Sequence, residues 1–278
     1  MKYRHAYHAG NFADVHKHVA LLHLITALQR KPKGFVYLET HAGRGHYELG
    51  GEAEAGYLAL RAAERIAAAT TPAVLAYLEA ESALAAGKGG YAGSPLLAAR
   101  ALRAADRGVC CEVQPPELRA LERSLAEFAP HARLHCQGGD GFHALREYLP
   151  PPERRALVAI DPPYEEARDF ERVIESTALA VQRLANATVL AWYPIKDERT
   201  LAPWRLRAAE AIGAPLLALE LWLHPRDAAV ALNGSGLLVA NPPYQFDAEA
   251  GAWQAELARL LGAGASGGQS LQWLVHGH

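Results

Sequence analysis

The sequence is poor in cysteine and lacks any long apolar run. Its 278 residues include three cysteines, without the C-x-x-C spacing of a metal or redox site. Adjacent cysteines rarely bridge each other, so a reducing, cytoplasmic setting is expected. No stretch approaches the roughly 18 apolar residues of a membrane span, and no apolar segment follows the charged opening residues as in a secretory signal. The cysteines are Cys110, Cys111 and Cys136.

Net charge is also small, with a formal value of -2 at pH 7, but its distribution is uneven. Residues 1–34 carry six basic side chains against Asp14 alone. Such a basic segment suits a partner with concentrated phosphate that is met at one face. A solvated helix end explains the same charges, and charge alone favours that second interpretation. The basic residues are Lys2, Arg4, Lys17, Arg30, Lys31 and Lys33.

Five histidines in the same segment raise the question of a metal site. His16 and His23 are seven residues apart, near one helical face, but no acid or cysteine completes a ligand set around them. Structural zinc sites need four such ligands, so no metal is expected. The histidines are His5, His8, His16, His18 and His23.

Seven short apolar runs punctuate the chain and end in polar or turn residues. They lack polar alternation, which is typical of strands buried on both faces of a parallel sheet. Helical patterns lie between them, for example at residues 116–128 and 170–184. This alternation predicts a doubly wound α/β sheet with helices on both faces. Residues 262–270 are expected to form a loop before a last apolar segment at 271–275. The seven runs are residues 35–38, 108–111, 133–136, 156–160, 187–192, 218–223 and 236–240.

One interval is too long for a single crossover helix. Between the first two strands, residues 48–93 are rich in alanine and helical in pattern, with a glycine break that begins at Gly87. The segment is too short to hold a core of its own. We therefore predict a helical insertion packed on the sheet, within a single domain of residues 1–278.

The residues after the first predicted strand are the first candidates for a ligand site, because open α/β sheets bind ligands outside the carboxyl ends of their strands. Glu39 ends this strand, and Gly43 and Gly45 follow. Glycines let the backbone turn sharply and approach a ligand. The dinucleotide motif G-x-G-x-x-G would need a third glycine where Glu48 stands. The loop by itself is better explained as an ordinary turn.

The next two strands also end in acids. Glu112 ends the second strand, where it can accept both ribose hydroxyls of an adenosyl group. Gly138 and Gly139 follow the third strand, and then Asp140, which can accept an adenine amine. Each acid alone fits a solvated loop end or a helix cap. Three acids at the ends of three successive strands predict an adenosyl-binding site.

The fourth strand is followed by Asp161, Pro162, Pro163 and Tyr164. The exocyclic amine of adenine is a poor nucleophile because its lone pair is delocalised into the ring. Asp161 and the carbonyl of Pro162 can each accept one amine hydrogen, and prolines fix φ near −65° without adding an N–H. Tyr164 can stack on the base. The motif predicts methylation of an adenine amine by S-adenosyl-L-methionine, with Asp161 able to take the released proton.

A second tetrapeptide, Asn241-Pro242-Pro243-Tyr244, also follows an apolar strand. An amide could serve in place of the acid. Its strand comes last in the chain, however, and is expected to lie away from the switch point of the sheet. The chemistry is therefore predicted at Asp161.

With these residues, the chain resembles the RlmJ family of bacterial large-subunit ribosomal RNA adenine-N6 methyltransferases. The resemblance runs nearly end to end. Its N-terminal part is specific, whereas the Asp-Pro-Pro-Tyr motif is shared by many amino-methyltransferases. The matching motifs are Tyr3-Arg4-His5, His8-Ala9-Gly10-Asn11, Ala13-Asp14-Val15, Lys17-His18, Thr40-His41-Ala42-Gly43, Tyr91-Ala92-Gly93-Ser94-Pro95, Gly139-Asp140, Asp161-Pro162-Pro163-Tyr164 and Trp192-Tyr193-Pro194.

The resemblance implies a Rossmann-like class I fold with a seven-stranded, mostly parallel sheet. It implies S-adenosyl-L-methionine as cofactor and a specific adenine of 23S ribosomal RNA, of the adenine-2030 type, as target. On the substrate side it implies Tyr3, with His5 and Lys17, although Lys17 also fits near the charged end of the cofactor. The catalytic group is Asp161, Pro162 and Tyr164. The implied cofactor pocket comprises His18, His41, Gly43, Ser94, Glu112, Gly139, Asp140 and Asp161.

Two alternatives stay open from the sequence. One is a DNA adenine methyltransferase with the same pocket, and the other is a non-catalytic assembly factor that binds ribosomal RNA. The absence of an evident sequence-reading domain favours a structured RNA. Three intact acids (Glu112, Asp140 and Asp161) argue against a vestigial pocket. A monomer without membrane or metal partners is expected.

Overall fold

The computed structural model describes the chain except for residues 1–9, 49–59, 62, 86–89, 167, 227, 229, 231, 265 and 278. The described helices are α1 (Phe12–Gln29), α2 (Ala63–Ala67), α3 (Pro72–Ala85), α4 (Ser94–Ala101), α5 (Pro115–Phe128), α6 (Gly141–Tyr148), α7 (Arg168–Arg183), α8 (Glu198–Ile212) and α9 (Phe246–Leu260). The strands are β1 (Val36–Glu39), β2 (His46–Tyr47), β3 (Tyr91–Ala92), β4 (Arg107–Glu112), β5 (Leu134–Gly138), β6 (Ala156–Ile160), β7 (Thr188–Ile195), β8 (Leu216–Trp222), β9 (Gly234–Ala240) and β10 (Gly268–Val275). Among the described residues, no helix is long and apolar enough to cross a membrane.

The central sheet has eight strands in the order β10-β8-β9-β7-β6-β1-β4-β5. The predicted α/β architecture is confirmed, but the predicted number of seven strands is wrong. The eighth strand, β10, pairs antiparallel with β8 and begins at Gly268, inside the segment expected to be a loop. Its side chains are half-buried or exposed because it lies at the sheet edge. An edge strand of this kind lacks the unbroken apolar run that marked the others.

The chain reverses its direction of travel across the sheet beside β1. From β1 it proceeds to β4 and β5 on one side, then returns to β6 and β7 on the other, and these five strands are parallel. The switch point therefore lies between β1 and β6, where open α/β sheets bind their ligands. We call the edge at which these parallel strands end the carboxyl edge, and the edge at which they begin the amino edge.

Helices cover both faces of the sheet, and alternate residues of β1, together with Phe35 just before it, show how the core divides. Phe35 and Tyr37 pack in one apolar cluster with side chains of α1, α3, α4, α5 and α9. Val36 and Leu38 pack in the other cluster with side chains of α6, α7 and α8. The inner strands are buried on both faces, as their apolar runs predicted, whereas the edge strand β5 is half-buried or exposed along its length.

Helix α1 lies in the interior. Asn11 caps it by accepting hydrogen bonds from the amides of Ala13 (2.9 Å) and Asp14 (3.1 Å), a preferred arrangement at a helix start. Fourteen of its 18 residues are buried. The interpretation of residues 1–34 as a solvated basic segment is therefore wrong for Lys17, which is 8% exposed. Sequence spacing could not reveal this burial, because the polar residues of α1 find partners from distant parts of the chain.

The described part of residues 48–93 contains α2, α3 and β3. Strands β2 and β3 form a small antiparallel sheet, with His46 opposite Ala92 and Tyr47 opposite Tyr91. This pairing was not predicted from the sequence, since two-residue strands carry no periodicity. Side chains of α3 join the apolar cluster that contains α1. That residues 48–93 form an insertion subdomain within a single domain of residues 1–278 stays a prediction.

Candidate active site

The carboxyl edge brings together side chains from four neighbouring strands. Glu39 ends β1, Glu112 ends β4, and Asp140 and Asp161 follow β5 and β6. The loop after β1 is fastened to both of its neighbours: the Thr40 amide donates to the Ala159 carbonyl (3.0 Å), and the Ala42 amide donates to the Cys111 carbonyl (2.9 Å). The acids that the sequence singled out therefore share one edge.

Glu112 organises the loop after β1. Its Oε2 accepts a hydrogen bond from the Gly43 amide (2.9 Å), and its Oε1 accepts one from the Gln114 amide (2.8 Å). Gly43 has a φ of 65°, in the left-handed region that favours glycine. Burial raises the pKa of Glu112 above its usual value. Val113 follows and is 60% exposed, so an apolar side chain stands beside this carboxylate at the surface.

Asp140 caps α6 and also pairs with a cation. Its Oδ1 accepts a hydrogen bond from the Phe142 amide (2.9 Å), and its Oδ2 accepts one from the Arg172 guanidinium (2.7 Å). The guanidinium carbon of Arg172 lies 4.2 Å from the centre of the Phe142 ring. The preceding Gly139 has a φ of 130°, and a Cβ built there meets no protein atom within 4 Å. The backbone before Asp140 is thus open on one side.

A buried ion-pair network holds Asp161. The Lys17 ammonium donates to Asp161 Oδ2 and to Asp14 Oδ1, the latter at 2.8 Å. Asp14 Oδ2 in turn accepts the Gly10 amide (2.9 Å). Burial opposes a charge on Lys17, but the two carboxylates outweigh it and raise the pKa of Lys17. Asp161 Oδ1 accepts no hydrogen bond from any described residue.

This network bears on the expectation that Lys17 contacts the substrate, which stays a prediction. Its ammonium group lies between two carboxylates, and the side chain is only 10% exposed. Lys17 is therefore placed to orient Asp161. Asp14 was not recognised from the sequence, although its spacing of three residues from Lys17 on one helix is a signal for an ion pair.

Beneath Asp161 is a small pocket between α1 and the ends of β1, β6 and β7. Within it, Glu39 Oε1 accepts a hydrogen bond from the Ser94 hydroxyl (2.5 Å). Burial raises the pKa of Glu39 to about 7. The lining combines charged and apolar side chains, among them Lys17, Leu21, Glu39, Ser94, Asp161 and Trp192.

Tyr164 packs on an aromatic wall. Its φ is 52°, which is uncommon for a residue with a bulky side chain. The ring centre lies 4.6 Å from that of Phe170 and 5.5 Å from that of Trp192. The Tyr164 hydroxyl donates a hydrogen bond to the Trp192 carbonyl. Pro162 is buried and Pro163 is exposed. The motif is thus a fixed turn, and its tyrosine is held by ring contacts and by the hydrogen bond of its hydroxyl.

The two histidines expected in the pocket are both fixed by hydrogen bonds. His41 Nδ1 is joined to the Thr40 hydroxyl (2.7 Å), and burial lowers the pKa of His41 to about 4. His18 Nδ1 is joined to the Tyr91 hydroxyl (2.8 Å), and the two rings stack. His41 is therefore uncharged at neutral pH. Tyr3 and His5, expected on the substrate side, lie outside the described residues.

The second tetrapeptide lies at the opposite edge of the sheet. β9 runs antiparallel to β7, so Asn241 follows it at the amino edge, near Thr188 at the start of β7. The Asn241 amide donates to the carbonyls of Ala185 and Ala187, both at 2.9 Å. Its side chain is engaged in fixing this turn, far from the carboxyl edge.

Arg172 and Trp192 are further members of the site. Arg172 was missed because nothing in the pattern of a solvent-facing helix distinguishes it. Trp192 stood in a recognised motif but without a role. Among the described residues, no group of three or more His, Cys, Asp or Glu side chains is arranged to hold a metal.

A switch point flanked by acids at the ends of neighbouring strands, with Asp-Pro-Pro-Tyr after β6, defines a Rossmann-like class I methyltransferase. Residues 32–275 match the model of a family described as ribosomal RNA large subunit methyltransferase D, RlmJ. The chain belongs to this family.

Individual relatives match over nearly their whole length. The chain is 34% identical over 283 residues to ribosomal RNA large subunit methyltransferase J of Escherichia coli strain K12, covering 99% of each chain. It is 33% identical over 284 residues to the protein of the same name from Haemophilus influenzae, again covering 99% of each. A crystal structure of a Legionella pneumophila strain Philadelphia 1 protein matches with a TM-score of 0.85 and 29% identity, over 96% of this chain and 98% of that one.

Proposed function

We propose that this chain transfers a methyl group from S-adenosyl-L-methionine to the N6 amine of one adenine in 23S ribosomal RNA, of the adenine-2030 type. Family membership supports the reaction class. The observation that carries the chemistry is Asp161, which is held through Oδ2 by a buried lysine while its Oδ1 stays available. We further propose that the chain acts on this RNA as a monomer in the cytoplasm.

The carboxyl edge fits an adenosyl group by the chemistry of its acceptors. Ribose hydroxyls and an adenine amine are hydrogen-bond donors, and ionised carboxylates are acceptors only. Glu112 and Asp140 supply two such carboxylates at the ends of β4 and β5. Each oxygen already accepts one protein hydrogen bond and keeps a lone pair for a second. The open backbone at Gly139 and the exposed Val113 suit a flat apolar ring.

In the proposed site, Glu112 binds the ribose hydroxyls and Asp140 binds the adenine amine of the cofactor. When bound, S-adenosyl-L-methionine supplies a methyl group on a positively charged sulfur. His41 is neutral at pH 7 because burial lowers its pKa to about 4, so it adds no like charge near that sulfur. The other residues proposed to line the pocket are His18, Gly43, Ser94, Gly139 and Asp161.

Asp161 and Pro162 orient the target amine. One amine hydrogen is accepted by Asp161 Oδ1 and the other by the Pro162 carbonyl, which directs the nitrogen lone pair toward the methyl group. Fixing reactants in line can supply several kcal/mol of the barrier reduction, so the rigidity of both acceptors matters. Lys17 provides that rigidity for Asp161. The proton lost from the amine passes to Asp161 Oδ1.

Tyr164 is proposed to stack on the target base. Enzymes that modify a base inside a folded nucleic acid must extrude it and hold it against aromatic or apolar side chains. The Tyr164 ring is supported by Phe170 and Trp192 and by its hydroxyl hydrogen bond. A preset ring needs little ordering when the base arrives. Tyr3 and His5 remain proposed contacts of the RNA.

The test compares Asp161→Asn with a matched control, Asn241→Asp in the second tetrapeptide. The change at Asp161 keeps the size of the side chain but replaces one acceptor by a donor. Methyl transfer from labelled cofactor to unmodified 23S ribosomal RNA should fall at least about 100-fold, while calorimetric cofactor affinity stays within about tenfold. The control loses two hydrogen bonds to carbonyls and should melt at a lower temperature, but well below its melting transition it should transfer at the wild-type rate. Full activity of Asp161→Asn, or preferential methylation of DNA by the wild type, would refute the proposal.

A further inference from the structure

The amino edge of the sheet, opposite the candidate active site, is strongly basic. The connections that precede β1, β4, β5 and β6, with the first residue of β4, contain eight arginines and lysines and two acids. Six net positive charges on this edge contrast with -2 for the whole chain. We define the amino-edge cluster as these eight residues: Arg30, Lys31, Lys33, Arg103, Arg107, Arg133, Arg154 and Arg155.

Strand order makes the cluster one continuous surface. β5, β4, β1 and β6 are adjacent in the sheet. Their first residues are in register: Val36 lies opposite both Arg107 and Ala156, and Gly108 lies opposite Leu134. The four connections therefore meet side by side, although they are scattered between residues 30 and 155 of the chain.

Part of the cluster has a structural explanation. Arg103 Nη1 donates to the carbonyls of Gln29 (3.0 Å) and Lys31 (3.2 Å), and Arg155 Nη2 donates to the Leu28 carbonyl (2.7 Å). These bonds satisfy carbonyls at the C-terminus of α1, where cations are favoured. The two arginines fix the base of the surface.

Three of the exposed cations lack such an explanation. Lys31, Lys33 and Arg154 are exposed, and they form no ion pair with any described residue. Arg154 has a φ of 55°, in the left-handed region where glycine or asparagine fits with less strain. An arginine in that conformation, on the surface and without an ion pair, points to a role outside the fold.

Three acids pair with members of the cluster, since Glu249 of α9 also pairs with Arg30 (2.7 Å), and they do not balance its eight cations. Asp106 is fully buried and pairs with Arg103, and Glu153 pairs with Arg107 (2.7 Å). Burial, and then the positive charge of Arg103, lowers the pKa of Arg155. The surface therefore presents a surplus of positive charge to solvent.

We propose that the amino-edge cluster binds backbone phosphates of the RNA substrate, so that one large RNA contacts this chain at two opposite edges. The inference rests on the proposed function. Phosphate contacts by arginine and lysine position a nucleic acid without reading its sequence. The helices that adjoin these connections bury their apolar faces in the core, so the cations differ from the pattern of a membrane-surface segment, whose apolar face is free to enter the lipid.

Distance decides which RNAs can use both edges. β1 and β6 have four and five residues, and a strand rises about 3.3 Å per residue, so the edges lie roughly 13–17 Å apart. A short hairpin that places its adenine at Asp161 leaves the amino edge unoccupied. A folded ribosomal RNA fragment can wrap around the side of the molecule to reach both.

The test uses Lys31→Glu/Lys33→Glu in the full chain. Its matched control is Arg119→Glu/Arg123→Glu, the same charge change on the exposed face of α5. Affinity is measured at several salt concentrations for a folded 23S ribosomal RNA fragment and for a short hairpin carrying the target adenine. The cluster variant should bind the fragment at least about tenfold more weakly. The slope of its logarithmic affinity against the logarithm of salt concentration should be smaller by about two, because about two fewer counterions are released. Its hairpin affinity, and both affinities of the control, should stay within about twofold of wild type.

Arg154→Asn supplies a variant that the fold tolerates, because asparagine accepts the left-handed conformation. It should melt no lower than the wild type and still bind the fragment about threefold more weakly. Unchanged fragment affinity in both cluster variants would overturn the inference. An equal loss of affinity for the hairpin would also overturn it. So would variants that bind phosphatidylglycerol vesicles more weakly than the wild type while their affinity for the fragment is unchanged.

The two proposals fail separately. If the wild type binds the fragment through the cluster but transfers no methyl group to it, the proposed function fails and the inference stands. If the wild type methylates fragment and hairpin while the cluster variants bind both normally, the inference alone is overturned.

Discussion

Replacing Lys17 with methionine removes the cation between two buried carboxylates. The Lys17 ammonium contacts Asp14, whose side chain is 7% exposed, and Asp161, whose side chain is 18% exposed. Methionine has a similar length and no charge. Both carboxylates would then lie in the interior without their cation, which is the situation in which breaking a buried ion pair is costly.

The expected loss of stability follows from that geometry. Removing one partner of a buried pair costs about 3–5 kcal/mol. For a domain of this size, 1 kcal/mol lowers the melting temperature by about 2–4 °C. Lys17→Met should therefore melt about 10 °C below wild type. Methyl transfer should fall at least about 100-fold even when measured well below the melting transition, because Asp161 loses the contact that orients it.

A double variant separates stability from chemistry. Asp14→Asn/Lys17→Met leaves one buried carboxylate instead of two, so it should recover about 1–2 kcal/mol of the lost stability without recovering methyl transfer. Thermal melts and labelled-methyl transfer are measured on the same preparations. If Lys17→Met melts within 2 °C (about 1 kcal/mol) of the wild type and transfers methyl groups at the wild-type rate, the ion pair does not position Asp161.

Three further variants test other parts of the account. Burial raises the pKa of Glu39 to about 7. Its contribution to stability therefore falls as pH rises from about 4.5 to about 7, by up to about 3 kcal/mol. Glu39→Gln should flatten this pH dependence of the melting temperature, and wild-type and variant melting temperatures that change with pH in parallel would contradict it. Asn241→Ala loses two side-chain hydrogen bonds and puts alanine at a φ of 48°. It should lower the free energy of unfolding in denaturant melts by about 2 kcal/mol and leave methyl transfer unchanged. A stable variant without methyl transfer would move the chemistry to Asn241. Glu112→Gln should weaken calorimetric cofactor binding at least about tenfold, and unchanged affinity would remove Glu112 from the ribose site.

Most of the sheet was predictable because its inner strands are buried on both faces. Runs such as Ala156–Ile160 and Gly234–Ala240 have no exposed face and so contain no polar alternation. Chain order then put Asp161 beside the switch point and Asn241 away from it. The strand that was missed, Gly268–Val275, lies at the sheet edge and is half-buried except at Gln272, which is exposed.

The contacts that orient the site could not be read from the sequence. Lys17 and Asp161 are 144 residues apart, and Arg172 and Asp140 are 32 apart. Only the fold brings such pairs together, and neither has a spacing rule. The burial of α1 was hidden for the same reason, because a lysine on a helix is more often solvated.

The most direct test of the central claim maps methylated adenines in 23S ribosomal RNA by mass spectrometry. The RNA comes from cells that lack this gene, complemented with the wild-type chain, with Asp161→Asn, or with nothing. The account predicts that one N6-methyladenine disappears without the gene and returns only with the wild-type chain. An unchanged set of N6-methyladenines in the deletion cells, or full restoration by Asp161→Asn, would contradict it.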